Sequence, residues 1–394
     1  MTKKKLHILF VASWYPNRNQ PVLGNFIQRH AKAVALNHQV SVVAAFSDAH
    51  ETGLIEHHHP NLSEYVMHYP KVKDGDKILS VVRKVKAYRD AVGDTIQKAI
   101  ARNGKPDVLH VHVAWPAALA VVPLAKQLGV PIILTEHWSG YLPEDGNYRG
   151  FFLKHYTKNL FGKSKAVTVV SDHMKNAMRN HGLRGNFSNL PNAANTEVFH
   201  FAQKPNEADR PFRFLHVSML VDREKNITGL LTAFAAASKL RPMELTIIGD
   251  GPERSKHEET ARKLKIEKCV SFAGIKIPVE IAEYMNTHDA LVMFSHFEGM
   301  PVTIIEAQCC GMPVLATNTG AIREMLTNAK DIIVTPGDTD QLSKAMQVMA
   351  ANMGEEKNVE ELRRGISKKA CAHYSYETVG AKLNSIYRDV LSKP

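Results

Sequence analysis

The sequence predicts an α/β protein made of two doubly wound domains of similar size. Short apolar runs alternate with helical stretches along most of the chain, the rhythm of βαβ units whose parallel sheets are covered on both faces. That rhythm pauses between residues 189 and 210, where Pro191, Pro205 and a run of polar residues read as a linker. At 394 residues the chain is also too long for one small core.

In the first half, strands are expected at residues 6–13, 39–46, 107–113, 131–135 and 166–170. Each is a brief run rich in Val, Ile, Leu or Ala, bounded by polar residues, as a fully buried strand should be. Helices are expected at 24–37, 77–102, 116–128, 150–161 and 172–181. The second half repeats the pattern, with strands at 212–218, 244–248, 270–273, 290–294, 314–316 and 332–335. Its helices fall at 226–237, 253–264, 279–285, 302–310 and 341–350. The last stretch places Val379, Leu383, Ile386, Tyr387 and Val390 on one side of a helix.

Composition narrows the class. With 44% hydrophobic and 23% charged residues the chain reads as soluble and globular. Its apolar runs fall far short of the roughly 18 residues that span a bilayer. Met1-Thr2-Lys3-Lys4-Lys5 followed by Leu6-His7-Ile8-Leu9-Phe10 imitates a signal peptide. The apolar part is short, carries His7 and lacks a small-residue cleavage pattern, so a first core strand is expected instead. Cys269, Cys309, Cys310 and Cys371 show neither metal spacing nor a disulfide framework, which points to a reducing cytoplasm.

The net charge of +11 is one-sided. Residues 1–200 carry 25 Lys and Arg against 14 Asp and Glu, while residues 201–394 balance at 25 each. The first half is therefore expected to face something anionic. Lys77, Arg83, Lys84, Lys86 and Arg89 crowd the start of the 77–102 helix, beside an apolar stripe that begins at Ile78. A solvated face and docking on anionic lipid headgroups are both compatible with that pattern. Nucleic acid is not expected, because aromatic residues are not interleaved with the charge and no nucleic-acid module is recognisable.

The most informative segment is Ser295-His296-Phe297-Glu298-Gly299-Met300-Pro301-Val302-Thr303-Ile304-Ile305-Glu306, directly after the strand at 290–294. Pro301 suits a first helical position, where its missing N–H costs nothing. Backbone amides around Met300, Val302 and Thr303 would then leave a helix start suited to a phosphate. Glu298 stands before that start and Glu306 about one turn inside it. Two carboxylates flanking an anion site fit a phosphate that carries hydroxyl-rich groups on both sides, as a nucleotide sugar does.

Glu298-x7-Glu306 in this context, followed by Gly311-Met312-Pro313-Val314, resembles the signature of the retaining family 4 glycosyltransferases. The resemblance implies a GT-B fold: two doubly wound Rossmann-like domains facing across a cleft. Residues 1–195 would form the acceptor-side domain and 210–373 the nucleotide-sugar domain, with the 374–394 helix packing back on the first. It also implies roles. Glu298 would hold sugar hydroxyls, Glu306 the ribose, and Gly299, Met300, Pro301 and Val302 would line the donor site. Asp222-Arg223-Glu224-Lys225-Asn226 resembles the family element whose cations neutralise the donor diphosphate, so Lys225 takes that role with Arg223 as helper. Met219 and Ser218 stand where the family carries Arg and Gly. Gly24, before a helix, would let the donor diphosphate or the acceptor approach the backbone closely, and His137 matches the family histidine near the reacting sugar. Ile247-Ile248-Gly249-Asp250-Gly251-Pro252 reads as scaffold, and Pro191-Asn192-Ala193 partly matches the family's interdomain junction.

Other histidines have plainer readings. His110 and His112 alternate on a strand and read as core, and His57-His58-His59 reads as a solvated loop. Taken together, the resemblance implies a retaining transferase moving a sugar from a nucleoside diphosphate to a glycan or lipid-linked acceptor, in bacterial cell-surface polysaccharide synthesis. No metal or other cofactor is expected. A cytoplasmic location follows, with peripheral contact to the inner membrane as a further candidate. The alternatives are a GT-B nucleotide-sugar epimerase and a donor-binding partner protein without turnover.

Overall fold

The computed structural model describes residues 4–73, 77–203 and 210–392. Residues 1–3, Pro205 of the expected linker, and the side chains of Lys77 and Ile78 lie outside the described residues. The chain divides into two compact units, Met1–Ala193 with Tyr376–Pro394, and Ala194–Ser375. Residues 194–203 of the expected linker thus go with the second unit.

Among the described residues, the first unit has strands at His7–Ala12 (β1), Gln39–Asp48 (β2), Gly53–His59 (β3), Leu62–Pro70 (β4), Val108–His112 (β5), Ile132–Glu136 (β6), Ser164–Val169 (β7) and Phe187–Asn189 (β8). The second has Phe212–Val217 (β9), Met243–Ile248 (β10), Val270–Gly274 (β11), Ala290–Met293 (β12), Val314–Thr317 (β13) and Ile332–Val334 (β14). The first sheet is ordered β3-β4-β2-β1-β5-β6-β7-β8 and the second β11-β10-β9-β12-β13-β14. Pairing is parallel throughout except for β3, which runs antiparallel to β4.

Among the parallel strands each sheet reverses its order once, between β1 and β5 in the first and between β9 and β12 in the second; the antiparallel β3 folds back on β4 at the first sheet's edge. At such a reversal the connections leave in opposite directions and open a crevice at the strands' carboxyl ends. Strand alternation supplies the packing around it. In the second unit Phe214, Ile247 and Val292 enter one core, with Leu230, Phe234 and Met346 from its helices. Their neighbours Leu215, Ile248 and Leu291 enter the other, with Ile304 and Ile305. In the first unit Ile8, Phe10, Val42 and Ile133 share a core with Val379, Leu383, Tyr387 and Val390 of the closing helix, Tyr376–Ser392.

Several elements differ from the sequence expectation. The β3–β4 hairpin was not predicted, and His57-His58-His59 lies on β3 rather than in a loop. Nor is that run without acidic neighbours: His58 Nε2 is 3.1 Å from Glu56 and His59 Nε2 is 3.7 Å from Glu64. Exposed polar side chains suit an edge strand, where they discourage further pairing. The helix expected at 116–128 is broken into Ala114–Ala117 and Val121–Leu128. The helix Val359–Tyr374 and the short strand β8 were also unpredicted. Among the described residues, no helix is long and apolar enough to cross a membrane.

Gly380 sits where the closing helix crosses the helix Asn25–Ala35, and a Cβ there would stand 2.4 Å from the Ala33 carbonyl oxygen. In an exposed helix, Gly→Ala would stabilise by about 1 kcal/mol. Overpacking against backbone should reverse that sign, so Gly380→Ala is expected to lose about 1–3 kcal/mol. Urea unfolding of the full chain measures this; a raised midpoint would contradict the close crossing.

Candidate active site

In the second unit, the loops after β9 and β12 leave the sheet on either side of the reversal. The β9 loop ends in a single turn, Asp222–Lys225, fastened by the His296 N–H donating to Glu224 O at 2.8 Å. Asn226 follows in the left-handed conformation, φ 50°, and its side chain caps the helix Ile227–Ala237 by accepting from the Gly229 N–H. This fixes Lys225, whose ammonium donates to Glu298 Oε1 at 2.6 Å. Ser295 Oγ donates to the same oxygen at 2.8 Å. Glu298 is only 8% exposed, so its charge is held by partners rather than by bulk water.

The β12 loop passes through Gly299 and Met300 into the helix Val302–Cys309. Pro301 is the cap of that helix, with an extended ψ of 118°, and not its first helical residue as expected. The extended ψ turns the chain out of the loop, and Val302 begins the helix. Its first amides have no partners within the helix, as at any helix start. Glu306, buried, lies one turn further on. Arg223 is exposed with its guanidinium 5.6 Å from the centre of the Phe297 ring, beside Glu298.

Three supporting residues were not singled out from the sequence. Ser295 binds Glu298 directly. Thr317 Oγ1 donates to Ser295 O at 2.7 Å. Gly320, φ 53°, lets the β13 loop press against the Glu298 backbone: a Cβ there would lie 2.0 Å from Glu298 O. The available sequence signal was a glycine just after a predicted strand, which marks a turn but not what the turn touches.

The scaffold reading of Gly249 and Gly251 has a concrete basis, since Cβ atoms there would fall 1.8 Å from Ser218 O and 2.5 Å from Leu220 O. Ser218, the departure from the family glycine, completes a buried histidine. His216 Nδ1 is 2.9 Å from Val292 O and must donate to it, so the Ser218 hydroxyl donates to Nε2 at 2.7 Å. Burial, with the nearby Lys225 charge adding, pushes the His216 imidazole down to about 4. Met219 is half exposed and brings no charge.

The first unit holds Gly24 and His137. Gly24 caps the helix Asn25–Ala35 at φ 65°, and a Cβ would meet the Trp14 carbonyl at 2.6 Å, so the chain's own packing demands glycine there. His137 follows β6 directly. Its turn is built on the buried Glu136 carboxylate, which accepts from the N–H groups of Ala114, His137 and Trp138 and from the Tyr141 hydroxyl. Sequence reasoning quoted Glu136 without seeing this role. Phe26 packs on the His137 ring at 4.7 Å between centroids. Burial holds His137 well below its ordinary range, with His30 and His110 adding to the effect. His110 is a satisfied core residue, bonded to the Tyr387 hydroxyl at 2.8 Å and to Thr135 Oγ1 at 2.6 Å.

Two Rossmann-like units, each with polar side chains at its point of strand reversal, define a GT-B protein, and the solved structures that resemble it bear this out. A sucrose-phosphate synthase from Thermosynechococcus elongatus aligns over 99% of this chain and 100% of its own, with a TM-score of 0.76 at 17% identity. Anabaena Alr3699/HepE in complex with UDP aligns over 98% and 100%, with a TM-score of 0.71 at 15% identity. The chain belongs to the family 4 glycosyltransferases: the model described as Glycosyltransferase Family 4 matches residues 23–198, and that of Glycosyl transferases group 1 matches residues 198–370. Similar curated proteins include an uncharacterized glycosyltransferase of Methanocaldococcus jannaschii, 26% identical over 75% of this chain and 79% of its own length. An N-acetyl-alpha-D-glucosaminyl L-malate synthase of Bacillus anthracis is 25% identical over 74% and 77%. An alpha-monoglucosyldiacylglycerol synthase of Streptococcus pneumoniae is 22% identical over 74% and 68%. The chain is a glycosyltransferase.

The Lys225–Glu298 contact should be measurable without substrate. Lys225→Met leaves a buried carboxylate with the Ser295 hydroxyl as its remaining partner, at an expected cost of about 2–3 kcal/mol. Adding Glu298→Gln should recover part of that loss. Additive effects in a urea double-mutant cycle would show that the two groups do not interact.

Proposed function

We propose that this glycosyltransferase is a retaining enzyme that moves a sugar from a nucleoside diphosphate to a glycan or lipid-linked acceptor in bacterial cell-surface polysaccharide synthesis. The observation that carries the reading is the Lys225–Glu298 pair at the β9/β12 reversal, beside the helix that starts at Val302. A diphosphate seated at that helix start would meet backbone amides and the Lys225 ammonium together. Arg223 adds charge from the neighbouring turn. As the bond to the anomeric carbon breaks, these groups offset the negative charge growing on the leaving diphosphate. Turnover then needs no metal ion.

In this reading Glu298 accepts from sugar hydroxyls, Glu306 from the ribose, and His137 positions the reacting sugar. Gly24 permits close approach of the donor diphosphate or the acceptor. An acceptor attacking from the leaving-group face keeps the anomeric configuration. The UDP bound in the Anabaena structure supports a nucleoside diphosphate donor, and the alpha linkages named for two relatives are those retention would give from an alpha-linked donor.

Glu306→Ala is expected to weaken donor binding about tenfold, the loss of one charge-assisted hydrogen bond, while the circular dichroism of the free protein shows the fold intact. Thermal shift across a panel of UDP-, GDP- and ADP-sugars, followed by titration of the best donor, tests this. Unchanged affinity would remove the ribose role. Release of nucleoside diphosphate with a suitable acceptor separates an enzyme from a binding protein without turnover.

A cytoplasmic protein resting on the inner membrane face is the companion proposal. Leu79, Val81 and Val82 are exposed on the helix Lys77–Asn103, next to Arg83, Lys84, Lys86 and Arg89. That mixture suits shallow insertion beside anionic headgroups. Binding to phosphatidylglycerol vesicles should weaken as salt rises and fall further in Val81→Asp/Val82→Asp. Equal binding to neutral vesicles would argue against headgroup recognition.

A further inference from the structure

Three histidines of the first unit are brought together with ring nitrogens unused. His30 comes from the helix Asn25–Ala35, His112 from the end of β5, and His137 from just past β6. All three are buried. His30 Nε2 lies 3.1 Å from Pro191 O and must donate to it, which leaves a lone pair on Nδ1. His30 Nδ1, His112 Nε2 and His137 Nδ1 are all buried without a hydrogen-bond partner. The Asn192 side chain interacts with the His137 ring, and Nδ1 is still left without a partner. His112 Nδ1 and His137 Nε2 are 3.5 Å apart, the outer edge of a hydrogen bond. One ligand-capable nitrogen from each ring lies within 4.8 Å of the other two.

Buried polar atoms without partners are costly, so this cluster calls for a ligand. Burial keeps all three rings neutral near pH 7, with His30 down to about 4. Neutral imidazoles repel no cation and offer lone pairs, which suits a first-row transition ion. Hard ions such as magnesium or calcium want oxygen ligands, and the neighbouring Glu136 carboxylate is already engaged by four donors. The His30 N–H donating to a backbone carbonyl is the outer bond that orients a metal-binding imidazole.

We propose that His30, His112 and His137 bind a divalent transition ion of the zinc type, and that the bound ion inhibits sugar transfer by withdrawing His137 from the reacting sugar. Only the inhibitory half rests on the proposed function; the binding half stands on the cluster alone. Nitrogens around tetrahedral zinc sit about 3.3 Å apart for bonds of about 2.0–2.1 Å. The rings must therefore close by as much as about 1.5 Å from the separation seen here. Three protein ligands leave a fourth position open, as in exchangeable zinc sites.

The test uses the full chain, freed of metal with a chelator and titrated with zinc chloride or cobalt chloride. One equivalent should bind, and the cobalt form should show the visible absorption of a four-coordinate ion. His30→Gln and His112→Gln should each weaken binding at least about tenfold with circular dichroism unchanged. If His112→Gln does not fold, His30→Gln decides. Replacing His57, His58 and His59 together by Ser should leave the equivalent in place; its loss in that variant would assign the ion to the exposed run and overturn the proposal. Full retention in His30→Gln would overturn it equally. With donor and acceptor present, zinc should lower transfer and chelator restore it, and zinc that binds at the triad without lowering transfer removes the inhibitory half. If no donor is turned over, the binding titration still decides the site.

Discussion

A parallel sheet covered on both faces can place an unsatisfied polar side chain only near its strand ends, and that constraint governs both units. β1, β5 and β6 are buried along their whole lengths, as are β12 and β13. Any polar group within them must find partners inside the protein. His110 does, with both ring nitrogens bonded. At the carboxyl ends the ladder stops, and at the strand reversals the flanking loops part. Lys225 and Glu298 follow β9 and β12, while Gly24, His112 and His137 lie at or beyond the ends of β1, β5 and β6. The candidate site residues stand where the topology leaves room for them.

How far the sequence could be read follows from the same physics. Strands such as β1 and β12 announce themselves because burial on both faces requires an unbroken apolar run. β4 is also buried, yet its sequence is broken by Ser63, Glu64 and His68, and it was missed. The structure shows what makes those residues admissible: Glu64 accepts from Gln28 Nε2 at 2.8 Å and from the Tyr15 hydroxyl, and His68 Nδ1 meets Asp48 at 3.1 Å. None of those partners is close in sequence, so no local pattern could reveal them.

The helix Val359–Tyr374 was hidden for a related reason. Its Arg363 looks like a surface residue and is 2% exposed, donating to the carbonyls of Met285, His288 and Cys310. A charged side chain that satisfies helix-end carbonyls inverts the usual inside–outside pattern. The candidate site was legible through Glu298, Glu306 and Lys225 because their spacing carries a family resemblance. Of its supports, Thr317 and Gly320 act through contacts with a loop distant in the chain, and Ser295 through a single bond to Glu298 that leaves no sequence pattern. Glu136 lies beside His137 in sequence, but its role appears only once four donors converge on it.

The Lys225–Glu298 pair also bears on how a donor could be received. A carboxylate this buried would be costly without a cation, and the ammonium removes that cost before any ligand arrives. Lysine suits the task better than arginine. It presents three rotatable N–H donors on one compact charge, so it can keep Glu298 while turning another donor toward a phosphate. Both bonds to Glu298 fall on Oε1, leaving acceptor capacity on Oε2 for hydroxyl groups. On the proposed function, a nucleotide sugar would add contacts to a charge pair already in place, with little rearrangement around it. Preorganisation of that kind lets fixed charges favour the transition state over the ground state.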